Sequence, residues 1–418
     1  MGGSIRWRET TLGHVARWGS GGTPNTKDSS LYGGDIPWAV IGDLTEGFVH
    51  RTAATITESG LANSSAKLVP ERAVLVAMYG ASIGRVGITA REMATNQAIA
   101  HALPSESVIA KYLMYYLMSQ REHLVRAGKG AAQPNIGQGV LKAWPIRLPD
   151  SLDEQQRIVD LLEDHLSRLD AADTYLATAK RRLESMVSSV LLTLIPDEPD
   201  YPETWRRATV AEAGDVGLGR QRHPDWHNGP NMKPYLRVAN VFENRIDTSD
   251  VMEMHWPDET FERFKLHPGD VLLNKGQSPD LLGRPAIYRG EPPETAFTNS
   301  LIRFKANDDV LPEFALLVFR RHMRSGRFKR ESRITTNIAH LSAARLKPVE
   351  FPIPPIDEQT RIVAAADEQL SAVKRLALEL VAAKARQKNL RRSVLSAAFS
   401  GRLTGQADLS DVAEMIPA

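Results

Sequence analysis

The chain has 418 residues, 42% hydrophobic and 24% charged, which is long enough for two domains and excludes extended disorder. It has no cysteine, which excludes a disulfide framework and thiolate metal sites and suits a reducing cytoplasm. No apolar run approaches eighteen residues and the N-terminus lacks a signal-peptide core, so neither membrane insertion nor export is expected. The net charge of +2 becomes informative when divided: residues 151–200 carry 5 Lys/Arg against 11 Asp/Glu, whereas the segments on either side are mildly basic.

In chain order, the first 150 residues read as mixed α and β. A glycine-rich turn, Gly19-Ser20-Gly21-Gly22, precedes Thr23, Asn25 and Lys27, polar groups on a flexible backbone. Short β-branched runs at Ile36–Ile41, Val74–Met78 and Arg85–Thr89 predict strands, and Ile109, Leu113, Tyr116 and Leu117 share one face of a helix over Val108–Ser119. Gly80-Ala81-Ser82-Ile83-Gly84 fits the G-x-S-x-G pattern, but the β-branched, glycine-broken Arg85–Thr89 follows where a nucleophile elbow needs a helix. A turn between strands is expected, with Tyr79, Ser82 and Arg85 as candidate nucleic-acid contacts. Arg121, Arg126 and Lys129, followed by Gln133-Pro134-Asn135, form a thin basic stretch of similar character.

From residue 151 the pattern changes to a long helix. Leu162, Leu169, Leu176, Leu183 and Val190 recur every seven residues, a seam that packs along another helix. Ser151-Leu152-Asp153-Glu154 has capping-box spacing and Pro196 stops the helix, about 60 Å along at 1.5 Å per residue. The stretch is acidic from Asp153 to Asp173 and turns basic at Lys180-Arg181-Arg182.

The second half repeats this plan. Asp153-Glu154-Gln155-Gln156-Arg157-Ile158-Val159 returns as Asp357-Glu358-Gln359-Thr360-Arg361-Ile362-Val363, and the offset holds without a gap to the end of the helix. Its seam is assigned to Ile362, Leu376, Leu380, Leu390 and Val394, and its acid-to-base order suggests that the two helices lie antiparallel. More loosely, Gly217-Leu218-Gly219 matches the glycine-rich turn and leads into Arg220, Gln221, Arg222 and His223. Ala286–Tyr288 and Leu301–Phe304 predict strands, Leu311–Met323 a helix, and Lys275, Gln277 and Arg284 flank the turn matching Gly80–Gly84. The run Arg320–Arg333 holds seven Lys/Arg against one acid. Its Arg327, Lys329, Arg330 and Arg333, with Thr336 and Asn337 beyond, suit phosphate and base-edge contact.

The fold class expected is therefore α+β: domains at 1–150 and 198–353, helices at 151–197 and 354–404, and a tail at 405–418. Catalytic signatures fail. There is no Walker A sequence and no G-x-G-x-x-G; His223 and His227 flank a proline and find no third ligand, so no metal site is expected. No Asn/Asp-Pro-Pro-aromatic motif of an amino-methyltransferase occurs, and the chain reads as non-catalytic.

These features together resemble the specificity subunit of Type I restriction-modification systems. The most specific marks are the two Asp-Glu-Gln-x-Arg-Ile-Val helix starts and Ala398-Phe399-Ser400-Gly401-Arg402-Leu403-Thr404-Gly405; Gly21-Gly22-Thr23-Pro24, Ile36-Pro37-Trp38 and Gly269-Asp270-Val271-Leu272 add to them. The resemblance implies two target-recognition domains, each reading half of an asymmetric bipartite site in double-stranded DNA, held apart by the paired helices. It implies no cofactor in this chain. Two methyltransferase subunits would carry S-adenosylmethionine, and restriction/translocase subunits would carry ATP and Mg. The competing expectation is a coiled-coil adaptor presenting two protein-binding modules.

Overall fold

The computed structural model describes residues 6–128, 134–335 and 338–404, so the expected tail at 405–418 lies outside the described residues. The chain forms two compact units, Met1–Leu176 with Ala382–Ala418, and Ala177–Val381. No helix among the described residues is long and apolar enough to cross a membrane.

The first unit is built on a five-stranded sheet in the order Ala16–Ser20, Ile99–Pro104, Val74–Ala77, Val86–Thr89, Phe48–Val49. Its central strand is apolar at every position because both faces are covered. Val74 and Val76 point to the cluster containing α1 (Ala110–Ser119), while Leu75 and Ala77 point to a second cluster with Leu44, Val49 and Met93. A four-stranded sheet, Ala54–Ile56, Tyr32–Ala39, Met93–Thr95, Leu68–Val69, completes the domain.

The second unit repeats this. Gly214–Leu218, Leu301–Ala306, Val271–Asn274 and Pro285–Ile287 form a four-stranded sheet. Val271 and Leu273 face one core and Leu272 faces the other. A parallel pairing recurs at equivalent places, Trp38 with Ala94 in the first domain and Tyr235 with Ala296 in the second.

The long helices are α2 (Leu152–Leu194) and, after α3 (Pro312–Arg324), α4 (Ile356–Phe399). Each starts on its own domain through a buried glutamine of the repeated motif. The Gln155 amide donates to Ser107 O and Pro149 O, both at 3.0 Å, and its oxygen accepts from Ile109 N at 3.0 Å. Gln359 does the same, donating to Asp309 O and Pro354 O and accepting from Leu311 N, each at 2.8 Å. Both side chains are fully buried.

Within the first unit the start of α2 and the end of α4 run antiparallel. Leu162 and Leu169 of the expected seam are buried, with Leu395, Ala398 and Phe399 in the same core. The Phe399 ring stands edge-on between Tyr112 and Tyr116, with centroids 5.2 and 5.3 Å away. Arg391 pairs with Asp170, and the Gln387 amide bonds Leu169 O and Asp173 Oδ2 at 2.8 Å, so acid on one helix meets base and amide on the other.

In the second unit Leu191 and Ile195 of α2 share a core with Ile362 and Ala366 of α4, while Leu183 and Val190 are half-buried. There the partners of Lys180 and Arg181 lie on their own helix, Glu184 and Thr178.

The seam of α4 departs from the expected one at two of its five positions, while Ile362, Leu380 and Val394 lie on the covered side. Leu376 and Leu390 are 46% and 53% exposed, whereas Ala366, Val373, Leu380, Gln387 and Val394 repeat every seven residues on the covered side. Leu370, Arg391 and Ala398 lie on the companion register. The apolar residue types mark positions one off this seam, because polar side chains occupy several seam positions and span to α2. Leu176 of α2 is likewise half-buried.

Replacing Gln155 by alanine orphans a buried N–H and two carbonyls, and is expected to destabilise the full chain by about 2–4 kcal/mol. Urea denaturation measures this, and Gln359→Ala is expected to cost a similar amount.

Candidate nucleic-acid interface

In each domain the central strand ends in a short turn and returns as the next strand. Gly80–Ser82 and Pro279–Leu281 are single 3-10 turns, and Gly84 and Gly283 follow at φ +75° and +69°, the left-handed region that glycine adopts without strain. A strand and not a helix follows Ser82, as expected for a turn. The turn is tied to a later segment: Gly80 N to Pro134 O at 2.8 Å and Ile136 N to Met78 O at 2.9 Å in the first domain, Leu341 N to Lys275 O at 2.8 Å in the second. Tyr79 and Asn135 thereby bridge, gathering Tyr79, Ser82 and Asn135 on one end of the sheet. Lys275 and Gln277 occupy the matching end, with Gln277 paired to Ala339.

Arg85 and Arg284, expected as surface contacts, also brace loops from within. The Arg85 guanidinium donates to Leu44 O and that of Arg284 to Val241 O, both at 2.9 Å, so the same brace holds the same loop in both domains. A second tie recurs that the sequence reading missed. Glu46 bonds Arg121 at 3.0 Å, and Glu243, at the matching place, bonds both Arg320 and Arg324. Burial alone would raise the Glu243 carboxyl, but hydrogen bonds and charge from Arg324 and Arg320 outweigh it and hold it below the usual range. The signal available was Asp43-Leu44 matching Asn240-Val241, which puts the two glutamates in register.

The glycine-rich turns serve close backbone approach. A Cβ on Gly21 would lie 1.8 Å from Thr95 O, and one on Gly219 would lie 2.4 Å from Thr298. Beyond them the domains diverge. In the first, Thr23 bonds Gln97, Asn25 closes a turn onto Lys27 N, and the Lys27 side chain is exposed. In the second, Arg220 is 9% exposed, its guanidinium 3.6 Å from the Trp226 ring centroid and 5.0 Å from that of Trp256, with Nη1 donating to His255 O at 2.7 Å. Gln221, Arg222 and His223 are exposed around it; Arg222 lies 5.6 Å from the Tyr235 ring and His223 pairs with Asp225.

A family model described as "Type I restriction modification DNA specificity domain" matches twice, over residues 5–177 and 212–380. The chain belongs to this family. It is 30% identical to the EcoR124I/EcoR124II specificity subunit of Escherichia coli over 38% of this chain and 41% of that one, so this match spans about two fifths of the relative. It is 22% identical to the EcoKI specificity subunit of Escherichia coli K12 over 89% of this chain and 83% of that one. In fold it is similar to a chain solved in a study of assembly of the type I R-M system (TM-score 0.73, 18% identity, 96% and 100% covered). It is also similar to the HsdS subunit of Thermoanaerobacter tengcongensis (TM-score 0.53, 19% identity, 95% and 97% covered).

Within the second specificity domain, the basic run is largely spent on internal pairs. Arg327 bonds Glu350 and Glu331, Arg320 and Arg324 hold Glu243, and Lys329 reaches Asp280 at 3.2 Å. Arg321 clamps the end of α2, donating to Ile195 O and Pro196 O at 3.2 Å and pairing with Asp197. Arg330 is exposed. Arg333 lies on a strand, Arg333–Thr335, paired to Ile338–His340. Lys129, Gln133, Thr336 and Asn337 lie outside the described residues.

His322 sits inside this network, bonded to Glu350 O at 2.9 Å, and burial pushes it down to about 4 against the pull of Glu350, with Arg321 and Arg327 also facing it. The folded state thus binds fewer protons than the unfolded chain between pH 6.5 and 4. The stabilisation is complete above pH 6.5 and is lost as pH falls toward 4. His322→Gln is expected to flatten that part of the pH–stability curve, as denaturation at several pH values measures.

Proposed function

We propose that the chain is the DNA-recognition subunit of a Type I restriction-modification complex, each domain reading one half of an asymmetric bipartite duplex target. The observation that carries this is a frame shared by the two domains with unlike loops on it. The same braces, Arg85 and Arg284, and the same acid ties, Glu46 and Glu243, recur in the frames of both domains, whereas the loops after the glycine-rich turns differ: Thr23, Asn25 and Lys27 in one domain, Arg220, Gln221, Arg222 and His223 in the other. Different side chains on a common mount present different donor and acceptor patterns to base edges, which suits two unlike half-sites.

In this reading α2 and α4 set the gap between the half-sites and dock two methyltransferase subunits. The chain itself contributes no catalytic group. Methyl transfer from S-adenosylmethionine belongs to those partners, and ATP- and Mg-dependent translocation and cleavage belong to restriction subunits. Genome-wide methylation mapping with and without this chain tests it; an adaptor without DNA recognition would leave the methylated sequence unchanged.

The spacer role has its own test. Four helix-forming residues inserted between Thr178 and Lys180 displace the following helix by about 6 Å and turn it by roughly 40°. With about 3.4 Å per base pair, the gap is expected to widen by one or two pairs while both half-sites keep their bases. Methylation mapping of the insertion variant reads this directly.

A further inference from the structure

The sequence reading passed over Val241–Ile246. It is a hairpin, Val241 opposite Ile246 and Phe242 opposite Arg245, closed by Glu243-Asn244 with Asn244 at φ +56°. It is too short to hold itself, and its rigidity comes from its mount. Arg284 and Asn274 both donate to Val241 O, at 2.9 and 3.2 Å, and Asn244 N donates to Pro285 O at 2.9 Å. Glu243 is drawn onto α3 by Arg324 at 2.6–2.7 Å and Arg320 at 3.0 Å, leaving its side chain 19% exposed.

The mount decides the charge of the tip. The carboxylate of the turn is turned inward and neutralised, so what remains outward is cationic. Arg245 lies 4.6 Å and Arg284 4.5 Å from the centroid of the Phe242 ring. Two guanidinium groups held about one ring repel each other, while the ring favours each of them. An anion placed against both relieves that repulsion. Arg245 is 59% exposed and pairs with Asp247, which also accepts from Ser249 N and Oγ. The first domain keeps the tie and the Arg85 brace, but in the register of Glu46 and Glu243 it has Phe48 in place of Arg245, and the nearby Lys111 pairs with Glu163 at 2.7 Å.

We propose that this hairpin is a DNA-backbone contact of the second specificity domain, with Arg245 and the terminal nitrogens of Arg284 meeting phosphate and Phe242 fixing their spacing. The inference rests on the DNA reading above and deepens it. A backbone contact positions the domain without reading bases. Arg245→Ala therefore weakens binding alike on cognate and non-cognate duplexes and leaves the methylated sequence unchanged.

The test uses the full chain assembled with its methyltransferase subunits and a labelled duplex bearing the mapped target. Removing one phosphate contact lowers the slope of log K against log salt by about 0.9, which is about fivefold in affinity at 0.15 M salt. Arg263→Ala, an exposed arginine 5.3 Å from the Phe264 ring in the same domain, removes equal charge and is expected to leave the slope unchanged. A photo-reactive phenylalanine analogue at position 242 is expected to cross-link to the duplex.

An unchanged slope in Arg245→Ala, an equal loss in Arg263→Ala, or cross-linking to a protein subunit in place of DNA overturns the proposal. Failure of the unsubstituted complex to retain its target duplex would instead overturn the DNA reading itself.

Discussion

One buried carboxamide, used twice, fixes the relation between each recognition domain and its helix. Gln155 and Gln359 are each the third residue of the repeated Asp-Glu-Gln, and each satisfies three backbone groups that would otherwise be orphaned where chain segments converge. A glutamine is suited to this because its amide donates twice and its oxygen accepts, and it stays uncharged in a site that water does not enter. The surrounding motif then follows: Ile158 and Ile362, three residues on, are buried against the same domain that the glutamine grips. A helix whose first turn is held at three points inherits its direction from the domain, and everything displayed by that domain is oriented relative to the helix.

The second organising feature is that charge is divided between support and display. Arg85, Arg284, Arg320, Arg321, Arg324 and Arg327 all bond internal carbonyls or carboxylates, and each of those bonds ties two segments far apart in sequence. Arginine suits this use because its planar fork meets two partners at once without losing its charge. Display falls to exposed residues such as Lys27, Gln221, Arg222 and Arg330, which lie outside these ties. The domains can therefore differ at their tips without differing in their frames.

This division also explains what the sequence made legible. The repeat, the strands at Val74–Ala77 and Leu301–Ala306, and the helices after them were readable because periodicity and local propensity specify them. Which arginines serve the frame was not readable, since the acids that recruit them stand far off: Glu46 is 75 residues from Arg121, and Glu243 is 77 from Arg320. Density of charge in Arg320–Arg333 consequently overstated the surface charge there. The seam of α4 misled for a related reason. Leu376 and Leu390 carry the expected residue type one position off the covered side, where Gln387 and Arg391 reach across to α2 with polar groups. Apolar type is a proxy for burial only where no long polar side chain spans the interface.

The two long helices both end in apolar cores, each with its own further contacts. The end of α2 is held by Arg321 through two carbonyls and the Asp197 carboxylate, and the end of α4 by the ring of Phe399 between two tyrosines. The first junction adds to the buried Leu191 and Ile195 an ion pair that is only partly shielded, since Asp197 is 65% exposed, so its electrostatic part weakens with rising ionic strength. At the second, the Phe399 contact is apolar, so it tightens in sulfate and weakens on cooling, beside an exposed ion pair of Arg392 with Glu122. Rising ionic strength and cooling therefore act on different contacts of the two helix ends.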